Sequence, residues 1–582
     1  MQEDKTHDSM FRPVSITCAV ILLIALALNV SGLVQLAPSD GQSDEASTTP
    51  TASEASAQLE SEVGAFEITA RQRQMAQQNE AGYDVIDAGR GNPNWINSMV
   101  RRVYARLMDF AIDESERVYS EGFMAGQAQR EGIGERFDAA TNTEDGVSAY
   151  LAGLVNYCSS NLGLDRDDVL FELVNGIIGD YYPTPSRCLP NTEVILNAYL
   201  QSTLYGGVDL AAETDVFPTE GGSAAMSYIF HSLSHNKVLK PGDKIAIATP
   251  IFTPYLQIPD VNNYGLVSIE VASEAYNGWD IAEDELAKLE DPEVKAFFLV
   301  NPSNPASHAL SEQTIDRIAQ AVEKNPNLIV LTDDVYGTFV NDFRTVYSRI
   351  PHNTILVYSF SKLHGVTGWR TGLIAMNRDN VVDRLIRELP QEDKDLLEDE
   401  YSIVADYPAS MPFIERIVAD SRSIGLYHTS GLSTPSQVFM DIMALSHLVS
   451  PDADGYMELA NATVSERYYT LMRALGMPTD DAPANARYYT LVDIRSLVTQ
   501  RYGWDFAVWF DEQMTDFEFL DELAAKKGVV LMYGPGFDAP EGCVRISVAN
   551  ISNDQCTELA RRVLELLDEH YGTYAAQIAD AA

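Results

Sequence analysis

The chain has 582 residues, 46% hydrophobic and 21% charged, a composition that excludes a wholly disordered, collagen-like or repeat-built protein. Its 40 basic and 85 acidic residues give a formal net charge of −45, which argues against a nucleic-acid partner because the phosphates would be repelled. The five cysteines show no C-x-x-C spacing, which argues against a structural zinc site or a disulfide framework.

An apolar run without charged residues covers residues 14–37. A run of about 20 apolar residues is long enough for one membrane-spanning helix. Lys5 and Arg12 precede the run and the next lysine or arginine is Arg71, so residues 1–13 are predicted to form a short cytoplasmic tail. We therefore predict a single membrane anchor, with the rest of the chain extracytoplasmic. The alternative is a cleaved signal segment and a secreted or periplasmic protein.

The remaining chain is predicted to divide into a linker and two domains. Residues 38–80 are acidic and rich in serine and threonine, which is typical of a disordered linker. Apolar residues at helical spacing from Ile96 to Phe110 predict an amphipathic helix, within a helical insertion in the N-terminal part of a small domain, residues 81–154. We assign residues 155–445 to a large ligand-binding domain and residues 446–575 to the C-terminal part of the small α+β domain.

Short apolar runs in the middle of the chain predict buried strands: Lys244–Ala248, Val294–Val300, Leu328–Leu331 and Thr354–Tyr358. Because these runs lack polar alternation, we expect a mostly parallel central sheet with helices on both faces, an α/β fold. Polar or aromatic residues follow each run, and the carboxyl ends of parallel strands meet at one edge of a sheet. The sequence therefore predicts a crevice for a planar, charged ligand.

One segment, SFSKLHGVTGWR, contains a serine three residues before Lys362 and an arginine, Arg370, eight residues after it. The serine is Ser359. Two further motifs precede it in the chain: Asn304-Pro305 and Asp333-x-x-Tyr336. These motifs, in this order, resemble the class I aminotransferase family, whose members are fold type I enzymes that use pyridoxal phosphate.

The resemblance implies a role for each of these residues toward pyridoxal phosphate. Lys362 would bind the cofactor covalently and then move a proton at the substrate's Cα. Asp333 would pair with the pyridine nitrogen, and Asn304 and Tyr336 would donate hydrogen bonds to the phenolic oxygen. Phe252 would stack on the ring. The large domain is then the cofactor-binding domain.

The cofactor phosphate requires an anion site. Glycines and a serine at the start of a helix offer backbone N–H groups and a hydroxyl, and a second hydroxyl and a guanidinium would complete the site. The candidates are Gly221, Gly222, Ser223, Ser359 and Arg370. Tyr182 resembles the family tyrosine that reaches the phosphate of a partner subunit, with Tyr181 as the alternative. The resemblance therefore implies a homo-oligomer, at least a dimer and possibly a larger assembly.

Several stretches, among them FPTEGGSAAMSYIF and GLSTPSQ, resemble the bifunctional aspartate aminotransferase and aspartate β-decarboxylase branch. Arg545 resembles the arginine that binds the substrate α-carboxylate, and Arg90, with Gly91 beside it, becomes the candidate for the distal carboxylate. Two arginines suit a dicarboxylate. The resemblance implies decarboxylation of aspartate to alanine, with transamination to a 2-oxo acid as a second activity.

Two alternative functions remain open from the sequence, and one tempting metal signal does not hold. A plain aminotransferase acting on another amino acid is the nearest, and a catalytically inactive binding module is more distant because Lys362 is present. His231 and His235 have the i, i+4 spacing of a zinc pair, but no third ligand or catalytic glutamate lies between them. We therefore predict no metal site.

Overall fold

The computed structural model describes residues 65–182, 186–259, 264–425 and 431–581. The strands of these residues are β1 (Ile86–Asp87), β2 (Ser120–Glu121), β3 (Met124–Ala125), β4 (Thr214–Thr219), β5 (Lys244–Thr249), β6 (Val267–Ala272), β7 (Val294–Val300), β8 (Ile329–Asp333), β9 (Thr354–Ser359), β10 (Gly372–Asn377), β11 (Tyr489–Asp493), β12 (Val529–Val530), β13 (Met532–Tyr533) and β14 (Cys543–Ser547).

The helices of the same residues are α1 (Ala65–Gln77), α2 (Ser98–Val118), α3 (Ile133–Thr141), α4 (Gly146–Ser160), α5 (Arg166–Ile178), α6 (Pro190–Thr203), α7 (Gly222–His235), α8 (Thr253–Leu256), α9 (Glu283–Ala287), α10 (Glu312–Lys324), α11 (Val381–Arg387), α12 (Gln391–Tyr401), α13 (Phe413–Gly425), α14 (Thr434–Leu448), α15 (Gly455–Leu475), α16 (Ile494–Tyr502), α17 (Trp504–Gln513), α18 (Asp516–Lys527) and α19 (Asn553–Ala581).

The central sheet has seven strands in the order β4-β10-β9-β8-β7-β5-β6. Strands β5 to β9 pair in parallel, and β10 runs antiparallel to both of its neighbours. All residues of β8 and β9 are buried, because helices cover both faces of the sheet. The four predicted apolar runs lie in β5, β7, β8 and β9, which confirms the predicted α/β fold.

The C-terminal part contributes a three-stranded antiparallel sheet, in the order β11-β14-β13. The N-terminal strand β1 pairs in parallel with β12, where Ile86 lies opposite Val529. This pairing carries the segment that follows β1 to the C-terminal sheet, and Ser547 N donates a hydrogen bond to Ala88 O. Residues near both ends of the chain therefore meet beside the central sheet.

The C-terminal end of the linker predicted at residues 38–80 is not disordered in the structure. Residues 65–77 form helix α1. This helix packs on α18, with Ile68, Gln72 and Ala76 buried. Arg71 forms an ion pair with Asp521 of α18. The helix is short of apolar residues in its own sequence, so its stability depends on this tertiary contact rather than on a local signal.

The predicted membrane anchor is wrong, because the helices of the structure contradict it. Among the residues that the structure describes, no helix is both long and apolar enough to cross a bilayer. The longest of them, α2, α15 and α19, all carry charged residues, such as Arg101 and Asp109 in α2. Residues 14–37, on which the anchor was predicted, lie outside the described residues. The predicted extracytoplasmic location of the chain depended on that anchor and is therefore wrong as well.

Candidate active site

A cavity of about 380 Å³ lies beyond the carboxyl ends of β7, β8 and β9. Most of the predicted site residues line it: Gly91, Gly222, Ser223, Phe252, Asn304, Asp333, Tyr336, Ser359, Lys362, Arg370 and Arg545. These residues come from segments far apart in the sequence, and the sheet edge and the β1–β12 pairing bring them together.

Lys362 lies in the connection between β9 and β10 and its side chain faces the cavity. Its Nζ donates a hydrogen bond of 3.0 Å to Gly91 O and lies 5.9 Å from the centre of the Tyr336 ring. Within the described residues, no carboxylate lies at ion-pair distance from this amine. The amine is therefore held by a neutral carbonyl, which leaves it available to react with a ligand.

Asp333 ends β8 and is almost fully buried. Its carboxylate accepts hydrogen bonds from Tyr255 Oη at 2.7 Å and from Val335 N at 3.2 Å. Burial raises the pKa of Asp333 because the charged form loses its hydration, and these hydrogen bonds oppose the shift. The positive charge of Lys362 also lowers this pKa, but no cationic side chain of the described residues forms an ion pair with the carboxylate.

Arg545 lies in β14 and is only 1% exposed. Its Nη1 donates to Asn304 Oδ1 at 3.0 Å and its Nη2 donates to Gly89 O at 2.6 Å. The guanidinium packs on the rings of Tyr489 and Phe537, at 4.3 and 4.7 Å from their centres. Burial lowers the pKa of Arg545, yet no carboxylate of the described residues pairs with it and its Nε has no hydrogen-bond partner there.

The start of α7 lies beside Arg370, as the predicted anion site requires. Gly221 precedes the helix with φ of 89°, and no side chain of the structure caps this end. A Cβ on Gly221 would lie 2.6 Å from Arg370 Nη2, so only glycine allows the guanidinium to approach the helix end. The N–H groups of the first turn, Ser223 and Arg370 therefore present positive charge and donors to one ligand group.

Serine and aromatic side chains complete the walls of the cavity. Ser359 Oγ lies 2.8 Å from both Ser361 Oγ and Thr371 O. Phe252 is half-buried and packs edge-to-face on Tyr255, with ring centres 5.2 Å apart. These contacts fix a hydroxyl near the anion site and an aromatic ring beside Asp333.

The residues present fit pyridoxal phosphate, the cofactor that the sequence resemblance implies. The amine of Lys362 can react with the cofactor's aldehyde, and the buried carboxylate of Asp333 can pair with a protonated ring nitrogen. The start of α7 and Arg370 can bind the phosphate. Asp333 Oδ2 and the start of α7 are close together, since a Cβ on Gly222 would lie 3.8 Å from that oxygen. The unpaired charge of Asp333 is the observation that a protonated ring nitrogen would explain.

The structure does not bring every predicted residue to the cavity. Arg90 is 55% exposed, and its Nε lies 3.3 Å from Asp87 Oδ2, a carboxylate that Arg73 also binds. Tyr182 is 63% exposed and Tyr181 37% exposed, and neither lines the cavity. Gly221 borders the cavity as the residue before α7. The roles predicted for these residues stay predictions.

The cavity also contains residues that the sequence analysis did not select: Asn92, Tyr255, Ser361, Thr367 and Tyr489. Tyr255 and Tyr489 contact Asp333 and Tyr336 respectively. The pair Tyr488-Tyr489 is a weak indication in the sequence that a tyrosine lies at the site. The sequence does not show which of the two rings faces a ligand.

A second cavity, of about 790 Å³, adjoins the segment after Tyr336. Its charged lining consists of carboxylates and one histidine: Asp342, Asp452, Asp454, Glu458 and His447. Because it has no amine or guanidinium in its lining, it lacks the groups that a phosphate or a carboxylate needs. The smaller cavity around Lys362 is therefore the candidate active site.

Comparisons with known proteins give consistent results. The sequence model of the family described as aminotransferase class I and II matches residues 192–391. A bifunctional aspartate aminotransferase and L-aspartate beta-decarboxylase from Pseudomonas sp is 41% identical over 498 residues, which cover 84% of this chain and 93% of that protein.

Solved structures share the fold. A double mutant of aspartate aminotransferase from Thermus thermophilus has a TM-score of 0.54 at 17% identity, with 89% of this chain and 96% of that chain covered. The aromatic aminotransferase from Pyrococcus horikoshii OT3 has a TM-score of 0.54 at 19% identity, with 85% and 99% covered.

Proposed function

The chain belongs to the class I and II aminotransferase family, and from that premise we propose that it converts L-aspartate to L-alanine and carbon dioxide and also transfers the amino group of aspartate to a 2-oxo acid. Proteins of this family depend on pyridoxal phosphate, so the chain is an enzyme that uses this cofactor. The relative that is 41% identical carries both activities in its name.

One observation carries the proposal: two buried side chains of opposite charge, Asp333 and Arg545, line the cavity that contains Lys362, and neither forms an ion pair with a described residue. Leaving a charge buried and unpaired costs several kcal/mol, so each of them favours a ligand group of opposite charge. Asp333 suits the cofactor's ring nitrogen, and Arg545 suits the α-carboxylate of an amino acid. An amino acid substrate and a pyridine cofactor satisfy both.

Bound pyridoxal phosphate supplies an electron-poor ring that stabilises negative charge on the adjacent carbon atoms of an amino acid. Asp333 keeps the proton on the ring nitrogen, and Arg545 orients the substrate by its α-carboxylate. The Lys362 amine accepts the α-proton and returns it. Breaking the bond to the distal carboxyl group releases carbon dioxide, and the β-carbon takes up a proton to become the methyl group of alanine.

Arg90 is proposed to bind the distal carboxylate. In the structure it pairs with Asp87 at the surface, and the adjacent Gly91 lines the cavity. A half-exposed ion pair contributes only about 0–1 kcal/mol, so exchanging Asp87 for a substrate carboxylate is a small change in free energy.

The position of Arg90 outside the cavity also favours the second candidate, a plain aminotransferase for another amino acid. Incubation of the purified holoenzyme with aspartate labelled at its distal carboxyl, without any 2-oxo acid, separates the two. We expect labelled carbon dioxide and an equal amount of alanine, and neither from Lys362→Ala. Oxaloacetate formed only when a 2-oxo acid is added, with no alanine from aspartate alone, would establish a plain aminotransferase instead.

We further propose that the chain acts as a homo-oligomer, at least a dimer, in which Tyr182 reaches the cofactor phosphate of a partner subunit. The exposure of Tyr182 outside its own cavity supports this. Lys362→Ala and Tyr182→Phe chains, mixed and refolded together, should recover activity because one of the two sites in the mixed dimer is intact. No recovery, or a monomer in sedimentation, would contradict the proposal.

A further inference from the structure

We propose that Tyr489 is a positioning residue: its hydroxyl donates to the hydroxyl of Tyr336 and thereby strengthens the hydrogen bond that Tyr336 donates to the cofactor's phenolic oxygen. This inference rests on the proposed function, since it assumes the cofactor and the predicted role of Tyr336. It adds a residue from the C-terminal sheet that the family motifs do not include.

The contact between the two tyrosines is direct and buried. Tyr336 Oη and Tyr489 Oη are 2.9 Å apart, and the two side chains are 3% and 2% exposed. The position of Tyr489 is fixed on two sides. Its backbone N donates to Ser307 Oγ at 2.8 Å, and the Arg545 guanidinium packs on its ring.

The direction of the hydrogen bond follows from counting protons. Burial raises the pKa of Tyr336 well above its usual range, so its hydroxyl keeps its single proton. If Tyr336 donates that proton to the cofactor, it can only accept from Tyr489. A hydroxyl that accepts a hydrogen bond becomes a stronger donor, because the two bonds polarise each other.

The hydroxyl of Tyr489 also lies beside the reacting groups. A Cβ on Gly91 would lie 2.4 Å from Tyr489 Oη and 3.3 Å from Lys362 Nζ, so both groups approach the same glycine. The ring of Tyr489 contacts Arg545, while its hydroxyl contacts Tyr336. Ring and hydroxyl can therefore be tested separately by substitution.

Tyr488 provides a matched control. It is the next residue in the chain and is fully buried, and its hydroxyl donates to Gly91 O at 3.0 Å rather than to Tyr336. Tyr488→Phe removes one buried hydroxyl and leaves the contact between Tyr489 and Tyr336 in place, although its acceptor, Gly91 O, also accepts a hydrogen bond from Lys362 Nζ. Any general effect of losing such a hydroxyl appears in this variant.

The experiment is a pH titration of the visible absorption of bound pyridoxal phosphate in the holoenzyme. A weaker bond from Tyr336 stabilises the ionised phenolic oxygen less, so Tyr489→Phe should raise the apparent pKa of the absorption by about half a unit to one unit. Tyr488→Phe should leave it close to the wild-type value. An unchanged pKa in Tyr489→Phe, or an equal shift in both variants, would overturn the inference.

A second measurement checks that the ring is still in place. Succinate affinity, followed by its effect on the same absorption, should be retained in Tyr489→Phe and reduced in Tyr489→Leu, which loses the ring under Arg545. Reduced affinity in Tyr489→Phe would mean that the cavity has rearranged, which contradicts a role through the hydroxyl. A wild-type chain that binds no pyridoxal phosphate would instead refute the proposed function, and this inference with it.

Discussion

Asp333 and its neighbour Asp334 are adjacent buried carboxyl groups in different surroundings. Asp333 lines the cavity, whereas Asp334 accepts a hydrogen bond from Thr332 away from it, and burial raises the pKa of Asp334 to about 7. Only Asp333 can therefore reach a bound cofactor. Substitution of Asp333 therefore removes the charge at the cavity, and the same substitution at Asp334 serves as its control.

We predict that Asp333→Asn slows exchange of the substrate α-proton by about two to three orders of magnitude, a loss typical of removing one electrostatic contact to a developing charge. The ring nitrogen then loses the group that keeps it protonated. Proton exchange of alanine in deuterated water, followed by NMR, measures the rate. Asp334→Asn should keep the wild-type rate, and a similar loss in both variants would show that the effect comes from the fold.

The two proposed carboxylate-binding arginines are expected to differ in their substrate dependence. Arg545→Ala should weaken transition-state binding of aspartate and alanine alike, by roughly 2–5 kcal/mol, because both substrates have an α-carboxylate. Arg90→Ala should affect aspartate only. The ratio of half-transamination rates for the two amino acids reports this. An equal loss for both substrates in Arg90→Ala would refute its role at the distal carboxylate.

The motif residues of the site could be predicted from the sequence, but the residues that support them could not. Lys362 and Asp333 stand in motifs with fixed spacing next to apolar strands. Tyr255 lies in a four-residue helix, and only the folding of that turn against β8 directs its hydroxyl to Asp333. Arg90 is a predicted substrate-binding residue, yet in the structure it pairs with the nearby Asp87 at the surface.

At the level of elements, the apolar runs identified the four parallel strands β5, β7, β8 and β9 but not the antiparallel β10. A strand that is buried on both faces has the same composition in either direction, so the antiparallel β10 gave no signal. Helix α1 was missed for a related reason. Its contact with α18 involves buried residues such as Ile68, whose partners lie hundreds of residues away.

Three helices are joined by one histidine. His235, at the end of α7, contacts Asp420 of α13 through Nδ1 at 3.0 Å and Glu400 of α12 through Nε2 at 2.8 Å. The hydrogen bond and charge of Asp420 raise the pKa of His235, with Glu400 adding to the effect. The acidic α12 is thus tied to α7, the helix whose start borders the cavity.

The raised pKa of His235 makes this link dependent on pH. Its stabilisation is fully present below the unfolded pKa of about 6.5 and is lost as the pH rises through the higher folded value. We predict that His235→Gln costs about 1 kcal/mol at low pH and progressively less at higher pH. Thermal unfolding of both proteins across this range measures the difference.

His231 is the matched control for that experiment. It lies one turn earlier on α7, and burial lowers its pKa. Protonation of a histidine whose folded pKa is lowered destabilises the folded state. His231→Gln should therefore gain stability relative to the wild-type protein at low pH, which is the opposite of the effect expected for His235→Gln. The same pH trend in both variants would contradict the assignment to Asp420 and Glu400.

For the whole molecule, the net charge of −45 is the dominant electrostatic property. Surface ion pairs such as Arg130 with Asp165 contribute little each, whereas the excess negative charge repels itself over the entire surface. We predict that raising the salt concentration from about 0.01 to 0.15 M raises the unfolding temperature, since the screening length falls from about 30 to 8 Å. Scanning calorimetry measures this.

Equal gains in sodium and potassium chloride would identify screening as the cause. A gain confined to one cation would point to specific ion binding instead. A lower unfolding temperature in salt would mean that the paired charges outweigh the repulsion, which would contradict the prediction.

The antiparallel strand β10 also determines the order in which the site can assemble during folding. A short connection joins β9 to β10, and it carries Lys362 and Arg370, so this hairpin can form early from local contacts. Its other neighbour, β4, comes from much earlier in the chain, and that pairing closes a long loop at a greater entropic cost. The proposed phosphate site needs both pairings, because Gly372 lies against the backbone of Gly221. Capture of the cofactor would therefore mark the completion of the sheet, and in refolding its visible absorption would follow the recovery of secondary structure.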